Sequence, residues 1–305
     1  MSDPSHIFNY LAPAKVNLCL QIGRKRADGY HELASIVGFT EFGDSLTIKL
    51  SETNQLVLRG QFSAHIDSKT SENLVMKAIQ ILRDHNHNIP PLEITIDKQI
   101  PVGGGLGGGS SDAATTFLAL NEIFNLNISK TNLSDMALKI GADIPVCLNR
   151  HFVIMRGVGD KITTLSDAKL SDAKLSDFGL SNYIVLANPN SIVSTRNVFA
   201  EFDKNTLQEN SEWLMESQDL TQLLTRGNNL QESALKIYPE IGLLLNTMKT
   251  LYPRDGKTGL SAPQMSGSGA SCFALFEDKK TADMFCRKIQ QAGYWSVSTK
   301  FMSNF

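Results

Sequence analysis

The sequence has few cysteines and no long apolar run, and these absences exclude several classes of protein. Its four cysteines, Cys19, Cys147, Cys272 and Cys286, lie far apart and form no C-x-x-C pair. They therefore predict reduced, mostly buried thiols rather than a disulfide framework or a zinc site. No stretch reaches the roughly 18 apolar residues of a membrane span, and residues 1–10 lack the basic start and apolar run of a signal peptide. We expect a cytoplasmic protein with no membrane partner.

The chain also lacks an excess of charge of either sign. Its 29 lysines and arginines against 31 aspartates and glutamates leave a formal net charge of -2, and no run of basic residues forms a patch. We therefore expect no nucleic-acid partner. With 305 residues, of which 42% are hydrophobic, the chain is long enough for a large core and is more typical of two lobes than of one.

Predicted strands alternate along the chain with predicted helices. Apolar periodicity indicates strands at 11–22, 44–50, 92–98, 152–155 and 183–187, and helices at 73–83, 111–125, 131–140, 195–202 and 229–251. The first helix is expected to be capped by Ser71 or Asn73. Such interleaving favours a mixed α/β architecture. An internal repeat of Leu-Ser-Asp-Ala-Lys at 165–176 fits neither a helix face nor a strand face, so we expect an exposed insertion near a domain boundary.

The most informative motif is the glycine loop at 101–114, which reads Pro-Val-Gly-Gly-Gly-Leu-Gly-Gly-Gly-Ser-Ser-Asp-Ala-Ala between a predicted strand and a predicted helix. Glycine lets consecutive N–H groups turn toward one centre, and a helix N-terminus favours an anion. We expect a phosphate-binding loop rather than a flexible linker, with Ser110 or Ser111 as the N-cap. The Walker pattern fails because Ser110 follows Gly109 where a lysine is required, so any nucleotide lysine must come from elsewhere.

Two charged residues stand in apolar surroundings. Lys15 lies within the apolar strand pattern of residues 13–18, where it is either a lysine that extends its ammonium to the strand edge or a functional cation. Asp143 lies in the apolar run 141–146, just after a predicted helix. It is either a turn residue or a carboxylate that takes a proton from a hydroxyl or orients it, since burying an unpaired carboxylate is costly.

Two further segments carry polar or aromatic residues at the ends of apolar elements. Tyr30 and His31 follow the turn signal Asp28-Gly29, so they form either a surface loop or a pair that stacks on a base and reads its edge. The second glycine turn, residues 266–271, leads into an apolar strand. It is either a plain connection or a second wall around the same anion.

The order of these motifs resembles that of the GHMP kinases, named for galactose, homoserine, mevalonate and phosphomevalonate. The resemblance rests on residues 13–18, the glycine loop at 101–114 and the turn at 266–270. Residues 26–33, 103–112 and 141–145 further resemble the members that act on a cytidine diphosphate conjugate of methylerythritol. The match spans nearly the whole chain.

This resemblance implies a two-lobed α/β fold of the α+β type, with mixed sheets, helices and an active site in the cleft between the lobes. It implies an N-terminal lobe at 1–158 for ATP binding and catalysis and a C-terminal, substrate-side lobe at 159–305, with residues near 266–276 returning to the cleft. The implied reaction uses ATP and Mg²⁺ to phosphorylate the 2-hydroxyl of the methylerythritol conjugate in non-mevalonate isoprenoid synthesis. The alternatives are a GHMP kinase for homoserine or a mevalonate, and a non-catalytic nucleotide-binding module.

The resemblance also assigns site residues. Lys15 and Asp143 match the catalytic pair of the family. The implied ATP-binding residues are Asn73, Lys98, Pro101, Val102, Gly103, Gly104, Gly105, Leu106, Gly107, Gly108, Gly109, Ser110 and Ser111. The implied substrate-binding residues are Asn17, Tyr30, His31, Thr195 and Phe199, and the second glycine turn contributes Gly267, Ser268 and Gly269. Residues 228–231 read Asn-Asn-Leu-Gln where the family usually has Asn-Asp-Leu-Glu, which removes two carboxylates from a helix start.

Overall fold

A computed structural model describes residues 7–66, 72–164, 182–205, 220–253 and 262–302. The chain falls into two compact units. Unit 1 contains the residues up to 15 together with 42–102 and 107–150, and unit 2 contains 16–41, 103–106 and the residues from 151 onward. The predicted boundary between residues 158 and 159 stays a prediction. The repeat at 165–176 and the alternative cap Ser71 lie outside the described residues.

The sheet of unit 1 forms along the C-terminal half of one long strand. Strand β1 is Ile7–Lys25 and pairs with β2, His31–Leu50. Residues 45–50 of β2 pair antiparallel with β4, Leu92–Asp97, which pairs in parallel with β3, Gln55–Arg59. Every second residue of β4 is buried, which agrees with the alternation in the sequence. The helices of this unit are α1 (Leu74–Asp84), α2 (Gly108–Ile123), α3 (Lys130–Leu138) and α4 (Ile144–Cys147).

Unit 2 contains the N-terminal half of β2 and a second sheet. Residues 33–37 of β2 pair antiparallel with β5, Val153–Gly157, which pairs with β6, Lys161–Thr164. The second sheet is antiparallel, in the order β10 (Trp295–Lys300), β7 (Tyr183–Asn188), β9 (Cys272–Phe276) and β8 (Gln264–Met265). The helices are α5 (Thr195–Asn205), α6 (Leu220–Thr225), α7 (Gln231–Ile237), α8 (Pro239–Leu251) and α9 (Lys279–Gln291).

The core of unit 2 shows why these sequences fold as they do. Helix α9 buries Ala282, Phe285 and Ile289, which follow helical spacing, and exposes its charged face. The ring of Phe285 lies 5.0 Å from that of Phe276 in β9 and 5.8 Å from that of Tyr252. This aromatic cluster packs the helix against the antiparallel sheet, because offset and edge contacts between buried rings are favourable.

Several sequence predictions are confirmed and two are wrong. Mixed sheets with interleaved helices are present, and all four cysteines are free and buried, with burial raising the pKa of Cys19 and Cys147 to about 12. The single helix predicted at 229–251 is two helices, α7 and α8, because Pro239 starts a new helix at the position where its missing N–H costs nothing. Among the described residues, no helix is long and apolar enough to cross a membrane.

The second error concerns the start of α2. Ser110 and Ser111 were predicted as N-caps, but the N-cap is Gly107 in the left-handed conformation, with φ 65°. The hydroxyl of Ser111 instead donates to the carbonyl of Pro13 at 2.7 Å. A tertiary hydrogen bond has therefore replaced the local cap, and the helix begins three residues earlier than predicted.

Candidate active site

A buried lysine and a partly exposed aspartate meet in unit 1. Lys15 is buried in β1 between the fully buried Ala14 and Val16, and its Nζ lies 3.4 Å from Oδ2 of Asp143. Asp143 immediately precedes α4, and its side chain is 51% exposed. The short α4 follows directly, with Pro145 in its first turn, which sets the direction of the chain after Asp143. The structure thus brings together the two residues that match the family's catalytic pair, and their catalytic role stays a prediction.

The stem of Lys15 packs on the N-cap of α2. A Cβ added to Gly107 would lie 3.2 Å from Cβ and Cε of Lys15, closer than ordinary van der Waals contact. Gly107 also has a positive φ that other residues rarely adopt. Glycine is therefore required here both by the backbone conformation and by the lysine that lies against it.

The N-terminus of α2 offers backbone donors. Its N-cap is glycine, so no cap side chain accepts from the first-turn amides of Gly108, Gly109 and Ser110. These amides and the positive end of the helix dipole favour an anion. The hydrogen bond from Ser111 to Pro13 holds this end of the helix against β1, two residues before Lys15. The arrangement places a cation and several N–H donors on one side of unit 1.

The first half of the glycine loop belongs to unit 2, where it contacts the second glycine turn. The carbonyl of Gly104 accepts from the amide of Ser271 at 2.9 Å, and the carbonyl of Gly105 accepts from Oγ of Ser266 at 3.1 Å. A Cβ on Gly105 would lie 2.3 Å from the carbonyl oxygen of Ser266, so only glycine fits. The carbonyl of Gly103 accepts from Val193 N at 3.2 Å. The two glycine segments pack directly on each other, and the role of the second as an anion wall stays a prediction.

Polar side chains gather around the second glycine turn. The amide of Asn17 donates to Ser266 Oγ at 3.1 Å, and its Nδ2 donates to Ser35 Oγ at 2.8 Å. Its Oδ1 is buried and has no hydrogen-bond partner within the described part of the chain. Thr195 Oγ1 and Ser268 Oγ lie 2.8 Å apart. The structure thus brings two of the predicted substrate-binding residues, Asn17 and Thr195, to the second glycine turn, where Thr195 contacts Ser268.

His31 and Phe199 form an aromatic contact in the same unit. Their ring centroids lie 5.5 Å apart, and Phe202 packs edge-on to His31 at 6.1 Å. The His31 ring is nearly buried, with Nδ1 3.1 Å from the carbonyl of Gly23 and Nε2 2.9 Å from Oδ1 of Asp203. Sequence reasoning missed Asp203, which lies one helical turn after Phe199 on α5.

Tyr30, in contrast, is 62% exposed after the turn at Asp28. Its backbone amide donates to the Asp28 carboxylate at 3.1 Å, as an aspartate at a turn commonly arranges. The interpretation as a surface loop therefore fits Tyr30 and not His31.

Two predicted ATP-binding residues have structural partners. Asn73 caps α1, with Oδ1 accepting from Val75 N at 2.9 Å. Lys98 is 2% exposed, and its Nζ donates to the carboxylates of Asp44 and Asp112, the latter at 2.6 Å. Burial raises the pKa of Asp112 to about 7, even though Lys98 acts to lower it. Sequence reasoning missed Asp44 and Asp112 as partners of Lys98, although an aspartate at position 112, within a largely apolar helix, was a signal that a cation was needed.

The side-chain amides at 228, 229 and 231 form hydrogen bonds with the backbone of other segments. Asn228 Nδ2 donates to the carbonyls of Met265 and Gly267 at 2.9 and 2.8 Å, and Gln231 Oε1 accepts from Met265 N at 3.1 Å. Asn229 binds both the N–H and the carbonyl of Ile22. An aspartate has no donor for that carbonyl, so the asparagine serves β1 in a way that the family's usual residue does not.

Known proteins resemble this chain over nearly its whole length. The model of the GHMP kinases N terminal domain matches residues 73–150, and that of the GHMP kinases C terminal matches 198–294. The 4-diphosphocytidyl-2-C-methyl-D-erythritol kinase of Mesorhizobium japonicum is 35% identical over 302 residues, covering 96% of this chain and 95% of the relative. The enzyme of the same name from Shewanella halifaxensis is 36% identical over 273 residues, covering 89% and 86%.

Solved structures agree with this. A crystal structure of 4-(cytidine 5'-diphospho)-2C-methyl-D-erythritol kinase matches with a TM-score of 0.73 and 27% identity, covering 97% of this chain and all of that chain. A mevalonate kinase matches with a TM-score of 0.66 at 14% identity, which indicates the shared fold alone.

Proposed function

The chain belongs to the GHMP kinases and, among them, to the 4-diphosphocytidyl-2-C-methyl-D-erythritol kinases, and on this premise we propose that it phosphorylates the 2-hydroxyl of 4-diphosphocytidyl-2-C-methyl-D-erythritol. The products are the 2-phosphate and ADP. The enzyme is an ATP-dependent small-molecule kinase of isoprenoid precursor synthesis. The observation that best supports the mechanism is the contact of Lys15 with both Asp143 and the N-cap of α2.

Phosphoryl transfer requires positioning and charge stabilisation more than covalent chemistry. We assign the ATP triphosphate to the glycine loop, residues 101–111, where the first-turn amides of α2 donate to phosphate oxygens. Lys15 lies against this turn and adds a positive charge that is nearly buried and therefore poorly screened by water. Both contributions act on the charge that develops on the transferring phosphoryl group.

Asp143 is assigned to the acceptor hydroxyl. An aspartate is a weak base toward an alcohol, so it first orients the hydroxyl and takes the proton late, as the bond to phosphorus forms. The Lys15 ammonium contacts the carboxylate at 3.4 Å and helps to hold it in place. The half-exposed position of Asp143 leaves the carboxylate open to a substrate.

Mg²⁺ belongs to this proposal. Mg²⁺ is usually held by one or two carboxylates together with substrate phosphates. Asp143 is partly exposed, whereas Asp44 and Asp112 are committed to Lys98. This set of carboxylates fits an ion that would be held chiefly by the phosphates of ATP. When bound, the ion neutralises phosphate charge.

The substrate side is assigned to unit 2. We place the cytosine ring at Tyr30, His31 and Phe199, where the exposed Tyr30 precedes in sequence a nearly buried imidazole that contacts Phe199. The unpartnered Oδ1 of Asn17 and the hydroxyl pair of Thr195 and Ser268 suit the polar parts of the conjugate. Asn73 and Lys98 remain assigned to the nucleotide site. Lys98 contributes through its position in the fold, because its ammonium already donates to Asp44 and Asp112.

The lobe assignments, 1–158 for ATP and catalysis and 159–305 for substrate, are part of the same proposal. So are a cytoplasmic location, in line with four free cysteines, and the absence of a nucleic-acid partner, in line with a net charge of -2.

The test is incubation with ATP, Mg²⁺ and the cytidine diphosphate methylerythritol conjugate, following phosphate transfer to the acceptor by ³¹P NMR. Cytidine, homoserine and mevalonate serve as controls. We expect turnover of the conjugate and of none of the three control compounds. Turnover of homoserine or mevalonate instead, or ATP binding without transfer to any alcohol, contradicts the proposal.

A further inference from the structure

A buried ion cluster, formed by Lys98, Asp44 and Asp112, adjoins both ends of the glycine loop within unit 1. The three side chains are each at most 5% exposed and come from three elements: Asp44 from β2, Lys98 just after β4, and Asp112 from α2. Two carboxylates face one ammonium, so the cluster carries a net negative charge when all three groups are ionised. Neither the reaction nor the packing of an apolar core explains such a group.

Asp44 binds the backbone where the loop begins. Its Oδ1 accepts from the amides of Gln99 and Ile100, at 2.6 and 2.8 Å, while its Oδ2 accepts from Lys98 Nζ. At the other end of the loop, Gly108 is the first residue of α2, and a Cβ placed on it would lie 3.4 Å from Oδ2 of Asp44. One carboxylate therefore touches the residues that precede the loop and adjoins the helix that follows it.

Backbone hydrogen bonds hold the main chain of Lys98 on both sides. The amide of Lys98 donates to the carbonyl of Arg59 at 2.7 Å, and the amide of Phe62 donates to the carbonyl of Lys98 at 3.1 Å. A Cβ on Gly60 would lie 2.2 Å from Oδ1 of Asp97, so the chain at 59–62 approaches β4 as closely as glycine allows. The main chain of Lys98 is thus fixed on both sides, independently of its ammonium.

We propose that Asp44 is a positioning residue for the triphosphate loop: together with Lys98 it holds the backbone on either side of residues 101–107, so that the amides at the start of α2 are aimed before ATP binds. This rests on the proposed function of the loop. Lys98 acts through the cluster and makes no direct bond to phosphate.

The charges support this division of roles. A lysine that binds phosphate needs a free ammonium, but Lys98 already donates to two carboxylates and is 2% exposed. The cluster is neutral when Asp112 is protonated and negative when it is ionised, so in neither state does it attract a triphosphate. The cluster therefore has a structural role. Hydrogen bonds from backbone amides to a carboxylate are stronger and shorter than those between neutral groups, so they hold the backbone firmly.

The test uses a pair of matched variants, Asp44→Asn and Asp112→Asn. Each removes one carboxylate from the same lysine. An asparagine at 44 has one accepting oxygen, so its NH₂ must face either Lys98 Nζ or the amides of Gln99 and Ile100, and one set of donors loses its acceptor. An asparagine at 112 still accepts from Lys98, and its NH₂ takes the place of Oδ1, which has no partner within the described part of the chain.

Isothermal titration of the whole enzyme with ATP and Mg²⁺ measures the effect. We expect Asp44→Asn to raise the Kd of ATP at least about tenfold, the loss typical of a hydrogen bond to a charged group. It should leave the KM of the alcohol substrate within about twofold, a separation that general destabilisation does not produce. Asp112→Asn should leave the Kd of ATP within about threefold.

If Lys98 bound phosphate directly, removal of either carboxylate would free its ammonium and lower the Kd of ATP. That result, or equal Kd values for Asp44→Asn and wild type, overturns the proposal. Failure of the wild type to bind ATP would instead overturn the proposed function. If Asp44→Asn does not fold, hydrogen exchange on the free wild-type enzyme decides. Protected amides at Gln99 and Ile100 support a backbone that is held before ATP binds, and exchange at the rate of an unstructured chain overturns the proposal.

Discussion

Replacement of Gly107 by alanine tests how the start of α2 positions Lys15, the lysine that we assign to catalysis. The added Cβ would lie 3.2 Å from Cβ and Cε of Lys15, so the lysine stem has to move by a few tenths of an ångström. The residue must also keep a φ of 65°, which costs a non-glycine residue about 1 to 2 kcal/mol. Two separate effects are thus expected, one on stability and one on the Lys15–Asp143 geometry.

The two effects differ in size and in readout. The backbone cost lowers Tm by several degrees in a chain of this length. The shift of Lys15 lowers kcat at least about tenfold, because misplacing a group at the reaction centre by about 1 Å costs on the order of a hundredfold. The kcat measurement is made well below Tm, so that partial unfolding does not contribute.

Gly293→Ala is the matched control. Gly293 also has a positive φ, of 91°, but a Cβ there meets nothing within 4 Å. We expect it to lose stability to a similar degree and to keep its kcat. If Gly107→Ala keeps a kcat within about twofold of the wild type, or if both variants lose kcat equally, the contact between Gly107 and Lys15 has no catalytic meaning.

Two further predictions concern the substrate pocket and the ion cluster. Tyr30→Ala should weaken binding of the cytidine substrate by about 1 to 3 kcal/mol, the range for a ring stacked on a base, and leave the Kd of ATP unchanged; equal losses for both ligands, measured by calorimetry, refute a dedicated cytosine site. The pKa of Asp112 is raised to about 7 in the folded state, so the folded protein holds a proton that the unfolded chain releases near pH 4, and this group disfavours folding progressively as pH rises from about 4 to 7. Asp112→Asn should therefore gain stability relative to wild type over that window in urea unfolding, and a pH-independent difference contradicts the cause given for the shift.

Much of the fold follows from local patterns. The alternation at Leu92–Asp97 and the helical spacing of α1 depend on which face is buried, so the sequence predicts both, and Asn73 is one of the two caps it predicts for α1. The glycine loop between a strand and a helix was equally readable. A proline at the first position of α8 marks the helix break, and its meaning was missed because the apolar pattern continues through it.

The site depended on contacts between distant parts of the chain. Serine is a common N-cap residue, but the hydroxyl of Ser111 donates to the carbonyl of Pro13, 98 positions away. Lys98 finds Asp44 across 54 positions and Asp112 across 14. No single-sequence pattern encodes these separations, whereas the need of a buried charge for a partner is a physical rule that predicts that one exists. The roles of Asn228, Asn229 and Gln231 were missed for the same reason, since each binds backbone from another segment.

The central claim is that Asp143, held beside Lys15, acts on the acceptor hydroxyl while ATP is bound by other groups. Its most direct test is Asp143→Asn, with kcat measured by ³¹P NMR of the 2-phosphate and the Kd of ATP measured by calorimetry on the same preparation. We predict a loss of at least about a hundredfold in kcat, with a Kd for ATP close to that of the wild type. A variant that keeps near-normal kcat would contradict the account.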